Sequence, residues 1–289
     1  MAVGTYALTS LANLKAWIGI TADTHNAVLE SSIDRSTSII ESYCDRLLKT
    51  RTHYEWVMPR GSQSFVVDNP PVTSIETVAF GRQDSFTVTS DTASTDVLAT
   101  VNFDGERLRL YKVNASGSKT HDTLTASSYP TTSQLVTQIN SGVSGWSATL
   151  VENAYTKSLY RFGGRGVKDA PCHVRFPRDN VSEYEVEFDR GQVHLTVDRF
   201  PGIRSDDASP NRFPRGFFPV FVEYTSGYET VPPDLEQVAV EIAAELYRER
   251  LSDRTMASES LGDYNYSRAN VADLVASRAA KLDAYRRIR

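Results

Sequence analysis

Glu183, Glu185 and Glu187 fall at strand spacing, so a β-strand here turns three carboxylates to one side, about 7 Å apart. Grouped carboxylates suit glycoside hydrolysis or calcium binding, and a solvated strand face uses the same pattern. Cys172 and His173 are the only local cysteine–histidine pair. Neighbours on a strand point apart, which favours a core cysteine beside a surface histidine over a metal site. The other histidines, His25, His53, His121 and His194, are scattered. Gly163-Gly164-Arg165-Gly166 has the composition of a phosphate cradle but not the strand-then-helix setting, and reads as a flexible exit from an inserted module. Gly142-Val143-Ser144-Gly145-Trp146 lacks the last glycine of a nucleophile elbow. No zinc-protease motif and no Walker loop is present. The expectation is therefore no enzyme, no bound metal and no cofactor.

Composition bounds the class of protein that must position these groups. At 289 residues the chain is long enough for about two domains. Apolar residues make up 40% and charged ones 23%, a balance that fits a packed, soluble chain. No apolar run reaches the ~18 residues of a spanning helix, and no membrane association is expected. Residues 1–10 show neither a basic nor an apolar signal region, so no secretory signal is expected. The net charge of −5 argues against a general polyanion binder. Acidity concentrates in residues 171–231, which hold 7 basic and 10 acidic side chains. Two cysteines are too few for a disulfide framework.

Periodicity predicts helices at both ends. Leu8, Leu11, Leu14 and Ile18 mark a short one, capped by Thr9 or Ser10 and ended by Gly19. A longer one is expected from Asp23 or Thr24 to about Leu48, with a stripe of Leu29, Ile33, Ser36, Ile40, Tyr43 and Leu47. Pro232-Pro233-Asp234 opens a third, with Leu235, Val238, Ile242 and Leu246 buried, to about Leu251. Val271, Leu274, Val275, Arg278, Leu282 and Tyr285 define a last helix after a polar stretch. Strands are expected at 53–58, 65–67, 72–80, 184–188, 192–197 and 220–224, with a long exposed loop over 199–219. Between them, one residue in three of 85–158 is Ser or Thr. That segment predicts a hairpin at Asp104-Gly105, a capped helix stopping near Gly142 and a strand from Trp146.

The order of several short motifs then carries a resemblance. Ile39-Ile40-Glu41-Ser42-Tyr43-Cys44 is followed by Pro70-Pro71-Val72-Thr73-Ser74-Ile75. Tyr224-Thr225-Ser226-Gly227-Tyr228 leads to Val231-Pro232-Pro233-Asp234-Leu235, and Ser258-Glu259-Ser260-Leu261-Gly262-Asp263-Tyr264 comes later. This series resembles the head–tail connector (adaptor) family of tailed bacteriophages over about 1–83 and 175–289. It does not extend to 84–170, where the family has a much shorter connection.

The resemblance implies an α+β fold: a discontinuous α-helical bundle core with a small β element. The core is expected from 1–83 and 171–289, with a C-terminal docking arm at 252–289, and 84–170 as an inserted β-rich domain. It further implies a structural part of the virion neck, assembled in the host cytoplasm as a homo-oligomeric, typically dodecameric ring beneath the portal protein. Such a ring extends the channel for double-stranded DNA, which passes without specific binding, and offers a platform to a tail terminator, stopper or tail hub. Family use of the C-terminus, with an apolar stripe and an arginine-rich end, points to Tyr264, Tyr266, Leu274, Arg278, Leu282, Tyr285, Arg286 and Arg287 as portal-docking residues. Glu183, Glu185 and Glu187 are the candidates for an acidic channel wall. The alternative is a tail-associated or decoration module whose β insert binds a glycan or another virion protein; Tyr111, Tyr129 and Trp146 on one exposed face would support it, although Trp146 reads more readily as a core residue.

Overall fold

The structure, a computed structural model, describes residues 3–59, 61–92, 94–181, 183–196, 219–251, 258–261, 264–267 and 275–286. Two helices come first, α1 (Leu11–Ile18) and α2 (Asn26–Cys44). Strands β1 (Arg51–Val57), β2 (Ser64–Val66) and β3 (Val72–Phe80) follow. The Ser/Thr-rich stretch forms β4 (Gln83–Ser90), β5 (Asp96–Phe103), β6 (Arg107–Asn114), β7 (Lys119–Thr125), α3 (Thr132–Gly142) and β8 (Trp146–Leu150). Next are β9 (Phe162–Gly166), β10 (Cys172–Phe176), β11 (Asp179–Asn180), β12 (Tyr184–Glu187), β13 (Gln192–Leu195) and β14 (Val220–Ser226). The chain closes with α4 (Pro233–Leu251), the hairpin β15 (Ser258–Leu261) and β16 (Tyr264–Ser267), and the single turn α5 (Ala279–Leu282).

The expected helical-bundle core is overturned. The fold is mostly antiparallel β-sheet, and strand residues outnumber helical ones. The physical reason lies between the helices. There, short strands from distant parts of the chain pair into full sheets rather than a small accessory element. One sheet runs β1-β14-β3-β11, a second β12-β13-β2, a third β10-β4-β8 and a fourth β7-β6-β5-β9. β14 sits at the centre of the first, with seven paired residues from Arg51↔Ser226 to Val57↔Val220 on its β1 side. The strands run from two to nine residues, and a run that short shows its alternation less clearly in sequence than a helix stripe.

The helices pack together on one side of the molecule. Leu29, Ile33, Ile40, Leu235, Val238 and Ile242 are all fully buried. Ser36, the polar interruption of the α2 stripe, is buried as well, and its hydroxyl donates to the Ile33 carbonyl at 2.8 Å. That bond satisfies the group inside the helix's own turn, so a serine costs the seam little. α2 starts after His25, later than Asp23 or Thr24. It ends at Cys44 rather than Leu48, because Asp45 takes a left-handed conformation (φ 53°) and its N–H donates to the Glu41 carbonyl. Cys44, not Tyr43, therefore completes the buried stripe.

A separate apolar cluster is drawn only from residues 86–174, around Phe86, Phe103, Leu108, Leu135, Ile139 and Trp146. Its helix α3 is held by a reciprocal capping box: Thr131 Oγ1 accepts from Gln134 N–H, and the Gln134 side chain accepts from Thr131 N–H. The β5–β6 turn uses Gly105 at φ 102°, and Asp104 Oδ1 accepts from the Glu106 and Arg107 amides. Trp56 of β1 packs against Tyr160 with ring centres 4.5 Å apart and planes tilted by 37°, tying this part of the chain to the β1–β14 sheet.

Candidate functional site

The Gly163–Gly166 segment, expected as a flexible link, is strand β9, the edge of the fourth sheet. Its pairing with β5 supplies the order that a glycine run lacks by itself. Beside it lies a cleft of about 350 Å³ lined by Arg82, Tyr160, Arg161, Phe162, Gly163, Gly164, Arg165, His173 and Arg175. The guanidinium of Arg165 lies over the Phe162 ring at 4.6 Å and donates to the His173 carbonyl at 3.0 Å. Arg82 sits over Tyr160 at 5.3 Å. Tyr160 donates its hydroxyl to the Gly81 carbonyl at 2.6 Å, and burial pushes its phenol up to about 12. The Arg161 side chain lies against the β5–β6 turn, filling the space a Cβ on Gly105 would need.

One carboxylate answers this positive charge. Asp84 accepts from Arg175 Nε at 2.8 Å and pairs with His173 Nδ1 at 2.8 Å. The Arg175 bond, first, and then the His173 bond hold its carboxyl below the usual aspartate range. Cys172, next to His173, points inward and is buried, and burial raises its thiol. The adjacent pair thus faces opposite ways, as alternation on β10 requires. Among the described residues, no three His, Cys, Asp or Glu side chains converge in metal-binding geometry. No described helix is long and apolar enough to cross a membrane.

Glu183, Glu185 and Glu187 are all exposed. β12, which carries the latter two, is an edge strand, paired among the described residues with β13 alone. Its alternate residues Tyr184 and Val186 are half-buried, and Tyr184 packs on the sheet core. Arg190 approaches Glu187 at 3.5 Å.

The C-terminal candidates divide. Leu274 and Arg287 lie outside the described residues, as does most of the 199–219 stretch expected as a loop. Tyr264 and Tyr266 lie on β16, which pairs with β15. Leu282 is fully buried against Ile40, Cys44, Leu235 and Val238, so it closes the helical core of its own chain. Arg278 forms ion pairs with Glu241 and Glu245 of α4, both at 2.8 Å. Tyr285 donates to Asp234 at 2.6 Å, and Tyr43 donates to Asp283 at 2.8 Å. Arg286 is exposed, over the Tyr43 ring. Residues 275–286 are folded onto the helices through Leu282 and Arg278, with Lys281 and Arg286 exposed and Tyr285 half-buried.

Trp146 is 2% exposed and Tyr129 packs on the same apolar cluster, so the aromatic face that a glycan site needs is not formed by these residues. Sequence reasoning missed the cleft, because Asp84 lies 89 residues from His173 and 91 from Arg175. The dense arginines of 161–175 were the available signal.

The model of the family described as phage gp6-like head-tail connector protein matches residues 8–108. The match takes in α1, α2 and β1 to β5, and ends just inside β6. It bears out the resemblance to head–tail connectors, and it runs past residue 83, where the motif resemblance stops. That family is structural and not an enzyme class. Two solved structures are similar to this chain. One comes from the neck of an empty gene transfer agent (GTA) particle computed with C6 symmetry: 12% identity, 100% of this chain and 94% of that chain covered, TM-score 0.41. The other comes from the virion of a native GTA particle: 13% identity, 100% and 93% covered, TM-score 0.45. No curated protein sequence matches.

Proposed function

We propose that this chain is a non-enzymatic connector of a phage or phage-like neck, forming a ring beneath the portal that continues the DNA channel and seats the tail. The observation that carries this reading is the connector-family match over residues 8–108. The ring is dodecameric in this reading, and its neighbours are the portal above and a tail terminator, stopper or tail hub below. Assembly takes place in the host cytoplasm, and double-stranded DNA passes without specific contacts. Residues 1–83 and 171–289 act as the adaptor core, with 84–170 as an inserted domain. The apolar cluster of residues 86–174 supports a separate unit there, although Cys172 and Val174 of β10 belong to it and extend it beyond residue 170.

Portal docking falls to the C-terminal arm of 252–289, including Tyr264, Tyr266, Leu274 and Arg287. Within 275–286, Arg286 and Lys281 are exposed and Tyr285 half-buried, so these side chains are available to a partner, while Arg278 and Leu282 hold the segment in place. Glu183, Glu185 and Glu187 are available to the channel or to a seam between subunits. The test is to mix the full chain with its portal ring and image the product by electron microscopy. Rings stacked coaxially under the portal are expected, and Arg286→Ala combined with Tyr285→Ala reduces their number. Portal particles that stay bare at saturating chain reject the connector reading.

A further inference from the structure

The basic cleft and the glycine-bearing edge of β9 have no role in the neck reading so far. Resting on the ring assembly just proposed, we infer that this cleft receives the acidic edge strand β12 of a second copy of the chain. Among the described residues β9 is an edge strand, paired with β5 and with no second strand, and a strand edge carries backbone donors and acceptors that another strand can meet. A methyl group placed on Gly163, Gly164 or Gly166 would meet nothing within 4 Å, and none of the three has a positive φ. Gly163 and Gly164 fall at the register shift between Arg165↔Val101 and Phe162↔Phe103, where glycine also eases an irregular strand, but no close contact and no positive φ in this chain requires it. What it offers is room for another backbone to come close.

The charge around that edge selects the visitor. Arg82, Arg161 and Arg165 are exposed, Arg175 is half-exposed, and Asp84 is engaged with Arg175 and His173. An extended, acidic segment satisfies both the edge and the arginines. β12 is such a segment: an edge strand with Glu183, Glu185 and Glu187 exposed beside or upon it. Two opposite surfaces on one chain make a heterologous, head-to-tail contact, the kind that closes into a ring. A nucleic acid would neutralise the arginines, but its phosphodiester backbone offers acceptors only and leaves the carbonyls of the strand edge without donors. In this arrangement the three glutamates lie at the seam between subunits instead of on the channel wall.

Disulfide trapping tests the contact in the full chain. Cys44 and Cys172 are buried, so background oxidation is low. A chain carrying both Arg165→Cys and Glu185→Cys should give, on mild oxidation, a ladder of covalent dimers, trimers and larger species. Each single substitution should stop at dimers. Arg165→Glu and Glu185→Arg should each weaken self-association about tenfold or more, and the double reversal should restore it. Absence of a ladder above that of a control pair, Lys119→Cys with Glu185→Cys, overturns the contact. So does tight binding of a 30-base-pair DNA duplex that Arg165→Glu abolishes while self-association is unchanged. Rings that form on the portal without the ladder reject this contact and leave the neck role standing; a ladder with bare portals does the reverse.

Discussion

The helical layer and the 86–174 region bury their apolar residues equally well but assemble from the chain in opposite ways. In the helical layer Ile40 and Leu282 share one cluster although the whole middle of the protein separates them. Its members come from the first fifty residues and from beyond residue 228. The other cluster draws every member from one continuous stretch. Loop-closure entropy is spent once, over a long loop, to bring the ends together, whereas the continuous stretch closes many short loops. The difference teaches that the first fold unit is hostage to complete synthesis of the chain, and the second is not.

Trp146→Ala is the strongest way to break that comparison. It should cost ~3–5 kcal/mol by chemical denaturation, through lost burial and the cavity left behind. Hydrogen exchange should then quicken within 86–174 while α2 and α4 keep their protection. Equal loss in both places would mean that the two regions unfold as one unit. Ile40→Ala is the mirror experiment, at a cost of ~2–5 kcal/mol. Protection should fall in α2 and α4 and near Leu282, and hold in β5 and β6.

Thr131→Ala removes one half of the α3 capping box and should cost ~1 kcal/mol, confined to the 86–174 region. A pH dependence is expected in the sheet of β1 and β14. Burial, and secondarily Arg51, lowers His53 from its ordinary 6.5 to about 4. The unfolded chain takes up that proton near pH 6.5 and the folded one only near pH 4. Its contribution to stability is thus complete above about pH 6.5 and declines as pH falls toward about 4. His53→Phe keeps a ring stacked on Tyr224 and removes the declining term. The urea midpoint of the variant should therefore drop less than that of the parent between neutral and mildly acidic pH. Identical drops would assign the effect elsewhere.

What could be read in advance follows from which signals are local. The six buried residues of α2 and α4, the Thr131-capped helix and the Asp104-Gly105 turn rest on spacing or capping within a few residues. The dominance of β-sheet did not show, because β14 acquires its place only by pairing with β1 and β3, some 150 residues earlier. β9 was hidden for the same reason: a run of glycines has no strand propensity, and β5 imposes the conformation. The end of α2 turned on a single left-handed Asp45, a conformation that aspartate tolerates but does not announce. The basic cleft depends on Arg82 and Asp84 meeting residues 160–175 in space.

The central position of β14 has a mechanical meaning. This strand runs almost directly into α4, so a pull on the helical layer is transmitted lengthwise along β14. Its hydrogen bonds to β1 and β3 lie across that direction, and load applied along an antiparallel ladder falls on all its rungs at once instead of peeling them one by one. Because β3 leaves the sheet at the opposite end and continues into β4, a tensile force between the helices and the 86–174 region loads the β14–β3 pairing in shear.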